Sequence, residues 1–156
     1  MTGAERVANA GAGRSSYFAY GSNMDPAGMV ERCPGARFVG TVRVDGHAFR
    51  INGNHHATIL PAAGKHVFGV LWSITTADEA ALDEYEGVAI ALYRRHVVRV
   101  VLADGAQCDA LTYMARNVEP TRTQAPYFDQ LVAAARLHAL PEEYVDEIEG
   151  WKLRDP

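Results

Sequence analysis

Apolar and polar residues change their spacing several times along this chain, and each change marks an element. Residues 17–20, Tyr-Phe-Ala-Tyr, form a short aromatic run of strand character that breaks into Gly21, Ser22 and Asn23, residue types suited to a turn. Asp25 and Pro26 have the character of an N-cap and a first helical position, predicting a short helix to about Arg32 that Pro34 and Gly35 end. From residue 36 to 51 apolar and polar positions alternate, as on a half-buried sheet, with a bend at Asp45-Gly46. That pattern is two strands or one bent one. After the polar loop NGNHH, the runs ATILPA and HVFGVLWSI predict two strands deep in the sheet, joined by a turn at residues 63–65.

The stretch TTADEAALDEYEGV switches to a helical period. Thr76 with Glu79 three residues later predicts a capping box, and Gly87 a C-terminal stop, for a helix of about ten residues. Two more strands, YRRHVVRVVL and AQCDALTYMA, flank a turn at residues 103–105, and the loop RNVEPTRTQAP leads to helices starting near Tyr127 and Pro141. This order lacks the regular strand-helix alternation of a doubly wound parallel sheet. It predicts an α+β fold: a small mixed or antiparallel β-barrel with helices packed outside.

The length of 156 residues fits one domain, expected over 15–156 after a flexible tail at 1–14. With 48% hydrophobic and 22% charged residues the chain is able to bury a core. A net charge of −4 without a basic stripe argues against nucleic acid and anionic membrane surfaces, leaving a small soluble ligand as the expected partner and the oligomeric state open. Cys33 and Cys108 form no CxxC pair, and the first fourteen residues hold no apolar run long enough for a signal or a span, so a reducing cytoplasm is expected. The adjacent His55 and His56 point to opposite faces of an extended segment and make a poor metal pair, and neither metal nor cofactor is expected. No P-loop or GxGxxG fingerprint is present.

Two places hold candidate chemistry. The tetrapeptide YGSN, residues 20–23, is either a plain turn or a cradle whose successive backbone N–H groups converge on a carboxylate or oxyanion. In LDEYEG, residues 82–87, the carboxylates of Asp83, Glu84 and Glu86 fall at a helix C-terminus, where partial negative charge disfavours them. They are either a solvated acidic end or a site with one raised pKa. Arg94, Arg95 and His96 have the pattern of a solvated strand edge, Phe68 and Trp72 of core; Arg50 and His56 are placed near the mouth of any cavity, without a role.

YFAYGSNM, then FGVLWSIT and LDEYEGV, a strand led by Tyr93, the pair Pro126-Tyr127 and the later LPEEY occur in an order that resembles the gamma-glutamylcyclotransferase-like superfamily, of the avirulence-induced-gene-like or gamma-glutamylamine cyclotransferase type. The likeness runs from about residue 16 to 150. It implies a small barrel flanked by helices, Glu86 as catalytic acid and base, and a substrate cavity lined by Tyr20, Gly21, Ser22 and Asn23, with Tyr93 and Tyr127 as further wall residues. The implied reaction releases 5-oxoproline from a gamma-glutamyl compound by attack of its own α-amine, so no serine or cysteine nucleophile is needed. On this reading the helix C-terminus and Asp83 raise the pKa of Glu86, and the small residues of the turn let its N–H groups approach the γ-carbonyl or the α-carboxylate. The leaving amine is open, and the loops at 52–56 and 116–125 are expected to shape its end of the cavity. A non-catalytic binding domain of the same fold, or an amide hydrolase in which Glu86 activates water, are the alternatives.

Overall fold

The computed structural model describes residues 13–153. Five strands, β1 (Arg14–Ala19), β2 (Arg37–Ile51), β3 (Ala57–Thr75), β4 (Tyr93–Leu102) and β5 (Gln107–Ala115), close into a barrel in the order β1-β3-β2-β4-β5. Neighbouring strands run antiparallel, except that β1 and β5 are parallel and meet through one bridged pair, Tyr17 with Leu111. Among the described residues four α-helices decorate the barrel: α1 (Pro26–Arg32), α2 (Thr76–Tyr85), α3 (Pro126–Leu137) and α4 (Glu142–Glu149). The mixed barrel with outer helices matches the fold class expected from the sequence. The tail expected over 1–14 lies outside the described residues for 1–12, while Arg14 already belongs to β1.

The long strands depart from the expected layout. The stretch with the Asp45-Gly46 bend is one 15-residue strand, and the stretch expected as two strands with a turn at 63–65 is one 19-residue strand. The pairing shifts from Asp45–His66 to His47–Pro61, so both strands bend together at one irregularity. Gly46 and Gly64 lie in the left-handed region, at φ 73° and 77°, and take up that bend without ending either strand.

The capping box of α2 also sits one residue earlier than expected. Thr75, still extended as the last residue of β3, accepts the Asp78 N–H at 3.1 Å, and the Asp78 carboxylate accepts the Thr75 N–H at 3.0 Å. Glu79 is thereby free to face Arg95 instead. The strands bury Phe18, Val44, Leu71, Ile74 and Val100, and α3 and α4 bury Phe128, Leu131, Val145 and Ile148. Trp72 is buried as expected, whereas Phe68 is only partly covered and packs edge-on to Tyr144 at 5.2 Å. A Cβ on Gly69 would lie 2.2 Å from the Ala19 carbonyl oxygen, so glycine lets β3 cross close to the end of β1, where the chain leaves the sheet.

Candidate active site

A cavity of about 400 Å³ opens at the end of the barrel where β1 and β5 finish and β3 and β4 begin. Tyr20, Gly21, Ser22, Asn23, Glu86, Tyr93 and Tyr127, the seven residues singled out from the sequence, all line it. So do Tyr17, Tyr85, Leu92 and Tyr113, for which the sequence offered no role. Six of the chain's seven tyrosines thus face one space. The signal for them was present only as strand-like or helical aromatics, which a core explains equally well.

After β1 the chain makes a single 3-10 turn, Ser22–Met24, closed by Met24 N–H to Gly21 C=O at 3.0 Å and Asp25 N–H to Ser22 C=O at 3.1 Å. The N–H groups of Gly21, Ser22 and Asn23 precede the first of these bonds and so have no carbonyl within the turn to meet. The turn is pinned from behind: Trp72 Nε1 donates to the Asn23 carbonyl at 3.0 Å, and His138 Nε2 to the Met24 carbonyl at 2.7 Å. The buried Asn23 side chain accepts from Arg32 Nε at 2.7 Å and donates to Tyr17 Oη at 3.0 Å. The Arg32 guanidinium lies over the Tyr85 ring, 4.3 Å from its centre. A Cβ added at Gly21 would meet Ala57 at 3.5 Å and Leu131 at 4.0 Å, ordinary contacts. The protein's own packing therefore does not demand glycine there, which leaves the close approach of a ligand to the turn as the use for its smallness.

Glu86 is the C-cap of α2, its N–H bonded to the Leu82 carbonyl at 2.9 Å, and Gly87 ends the helix in the left-handed conformation, φ 65° and ψ 39°. Burial pushes its carboxyl up from an ordinary 4.5 to about 7, against a smaller downward pull from Arg32. The expected contribution of Asp83 is corrected. Asp83 accepts two bonds from Arg95 at 2.8 Å and one from Tyr113 Oη at 2.6 Å, which turns its charge toward β4 and β5. Desolvation, not a neighbouring carboxylate, raises Glu86. Arg95, exposed as expected, also ties Asp83 and Glu79 of α2 to the barrel.

The tyrosine hydroxyls are anchored. Tyr20 donates to the Tyr113 carbonyl, Tyr93 to the Ala57 carbonyl at 2.5 Å and Tyr127 to the His55 carbonyl at 2.7 Å, while Tyr85 and Ser22 share a bond of 3.2 Å. Burial raises the phenols of Tyr20, Tyr93 and Tyr127 above their usual range, Tyr127 to about 12, so these three stay neutral at pH 7. His56 reaches the cavity, edge-on to Tyr127 at 6.3 Å, whereas Arg50 bonds the Val118 carbonyl at 2.8 Å and lies outside the wall. Among the described residues the 116–125 loop supplies no wall residue either. It braces the 52–56 loop, through Asn52 Nδ2 to the Asn117 carbonyl at 2.9 Å and Thr121 N–H to the Ile51 carbonyl at 2.9 Å.

Residues 66–148, more than half of the chain, match the AIG2-like family. The chain is 28% identical to a gamma-glutamylcyclotransferase of Homo sapiens over 151 residues, 89% of this chain and 79% of that protein. It is 28% identical to one of Mus musculus over 146 residues, 86% of this chain and 77% of that protein. A solved structure described as a gamma-glutamyl cyclotransferase superposes with a TM-score of 0.84 at 26% identity, covering 92% of this chain and 90% of the other.

Proposed function

The chain belongs to the AIG2-like family, and from that premise we propose that it is a gamma-glutamylcyclotransferase, releasing 5-oxoproline from a gamma-glutamyl amino acid or amine with Glu86 as general acid and base. The observation that carries this reading is the Glu86 carboxyl, pushed by burial to about 7, lining the same cavity as Gly21, Ser22 and Asn23 of the turn. The naming of the human and mouse relatives supports it.

The chemistry follows from what the cavity offers. A gamma-glutamyl group folded so that its α-nitrogen meets its γ-carbonyl closes a five-membered lactam, and holding that pose supplies much of the roughly 7 to 11 kcal/mol that intramolecular geometry can contribute. A cavity of about 400 Å³ holds a dipeptide-sized ligand in that shape. An α-amine titrates near pH 8, roughly matched by a base near 7 but far above an ordinary carboxyl. Glu86 takes a proton from the attacking amine and returns it to the departing one. The oxygens of Tyr20, Tyr93 and Tyr127, whose own protons are given to backbone carbonyls, remain as acceptors for the substrate's ammonium before attack. The N–H groups of the turn face the γ-carbonyl or the α-carboxylate; a donor preorganised on an oxyanion contributes roughly 2.7 to 4 kcal/mol.

We also propose a cytoplasmic setting, in keeping with the two free thiols of Cys33 and Cys108. No helix among the described residues is long and apolar enough to cross a membrane. The test is a panel of gamma-glutamyl amino acids, glutathione, gamma-glutamyl-ε-lysine and gamma-glutamylated amines, assayed for 5-oxoproline. Glu86→Gln is expected to abolish turnover with the fold intact, and α-N-acetylated substrates, which lack the nucleophile, are expected to be inert. Free glutamate in place of 5-oxoproline would mean hydrolysis instead.

A further inference from the structure

Following each hydroxyl proton around the cavity separates one tyrosine from the rest. Tyr20, Tyr93, Tyr113 and Tyr127 all give their protons to protein acceptors, and the half-exposed Tyr85 pairs with Ser22. Tyr17 is 3% exposed, lines the cavity, and receives a hydrogen bond instead of giving one. The direction of that bond is fixed at its far end. Arg32 Nε can only donate, so the Asn23 atom 2.7 Å away is the amide oxygen, and the amide nitrogen is left facing Tyr17 Oη at 3.0 Å. Arg32 is itself held by its stack on Tyr85. The chain Arg32 to Asn23 to Tyr17 therefore delivers a phenol whose proton has no acceptor among the described residues. Buried donors of this kind are rare and costly unless a ligand or water completes them.

We infer that Tyr17 is a further catalytic residue of the cyclisation proposed above, its O–H donating to the γ-carbonyl oxygen of the bound gamma-glutamyl group. This rests on the cyclotransferase reading of the site. The α-nitrogen attacks the γ-carbon, the carbonyl π pair moves to oxygen, and Glu86 takes the nitrogen's proton. Tyr17 strengthens its hydrogen bond to the oxygen as negative charge builds there. On collapse the C=O re-forms, the bond to the leaving nitrogen breaks, and Glu86 returns the proton to that nitrogen. Tyr17 keeps its own proton throughout, and the products are 5-oxoproline and a free amine. Burial first, and then the nearby Glu86 charge, hold the phenol well above its ordinary value, so it acts as a hydrogen-bond donor and not as an acid. The ring is kept in place by an edge-on contact with Tyr113 at 5.9 Å.

Two variants test this by different routes. Tyr17→Phe removes the donor and is expected to lower kcat roughly 100-fold with KM changed only a few-fold, the size expected for one oxyanion donor. Asn23→Asp keeps every ring and the Arg32 contact but presents a carboxylate oxygen to Tyr17, drawing the proton away from the cavity. It is expected to lose a similar factor, with no further loss in the double variant. Replacing the γ-amide oxygen of the substrate by sulfur, a weak acceptor, is expected to slow the wild type strongly and Tyr17→Phe much less. An equal thio effect in both proteins, or a Tyr17→Phe kcat within twofold of wild type, overturns the inference. If the wild type releases no 5-oxoproline at all, the cyclotransferase reading fails separately. Calorimetric titration with 5-oxoproline, whose ring carbonyl is the former γ-carbonyl, then decides Tyr17: weaker binding to Tyr17→Phe than to wild type supports the donor, and equal or absent binding refutes it.

Discussion

Glu86→Gln is expected to stabilise the protein, and to do so only on the alkaline side of its titration. The folded state holds this carboxyl at about 7 while the unfolded chain returns it to 4.5. Each pKa unit corresponds to about 1.4 kcal/mol, so the full difference is about 3 kcal/mol. The sign follows from proton counting. Below pH 4.5 both states are protonated and Glu86 makes no difference. Between 4.5 and 7 the folded state keeps a proton that the unfolded state has lost, and stability falls as pH rises. Above 7 both are ionised, and the whole cost of a desolvated carboxylate is carried by the fold. Glutamine keeps the shape and has no such titration. Urea unfolding of both proteins at pH 4.5 and pH 8 is expected to show near-equal stability at the lower pH and a variant more stable by up to ~3 kcal/mol at the higher. That gain corresponds to roughly 6 to 12 °C in Tm for a domain of this size. A variant that tracks the wild type at both pH values, or is the less stable at pH 8, would refute the assignment of the raised pKa to burial. The same measurement speaks to function: a carboxyl that weakens the fold when charged is retained for some other reason.

For Gly21→Ala we expect normal folding with impaired substrate affinity, because the protein leaves room for the new Cβ; a wild-type KM would show that nothing approaches the turn closely. Gly69→Ala, by contrast, forces a Cβ to 2.2 Å from the Ala19 carbonyl and is expected to cost about 3 kcal/mol in denaturant unfolding, a loss below 1 kcal/mol being incompatible with that crossing. The pH profile of kcat/KM is expected to rise through a pKa near 7 as Glu86 ionises. Asp83→Asn is expected to leave that inflection in place, since Asp83 is bound to Arg95 and Tyr113; a downward move of a unit or more would restore Asp83 as the cause.

Local spacing carried much of the architecture and the cavity's outline. The aromatic run of β1, the turn after it and the carboxylates at the end of α2 are short-range patterns, and the three-dimensional structure brings the seven marked residues to one cavity. What was not legible depends on distant partners. A strand bend and a hairpin turn use the same residue types, and only the shared shift between Asp45 and His66 and between His47 and Pro61 shows that Gly64 bends one strand. Thr75 with Asp78 and Thr76 with Glu79 both satisfy the capping pattern, and the place where β3 stops being extended decides between them. The charge of Asp83 is turned away by Arg95 and Tyr113, 12 and 30 residues along the chain. The proton of Tyr17 is left free by an amide that Arg32 orients.

The single bridge between β1 and β5 is the place where the barrel's backbone ladder is thinnest. Beyond it the two strands are joined by side chains, Thr112 Oγ1 to the Phe18 carbonyl at 3.0 Å and Tyr20 Oη to the Tyr113 carbonyl. A ladder continued along that edge would have drawn the backbones to about 4.8 Å and closed the space between them. The cavity is in this sense an unfinished seam, and a ligand seated in it completes the barrel's cross-section. Occupancy is then expected to be felt as a mechanical tightening, slowing amide exchange along β1 and β5 more than in the long β2–β3 pair.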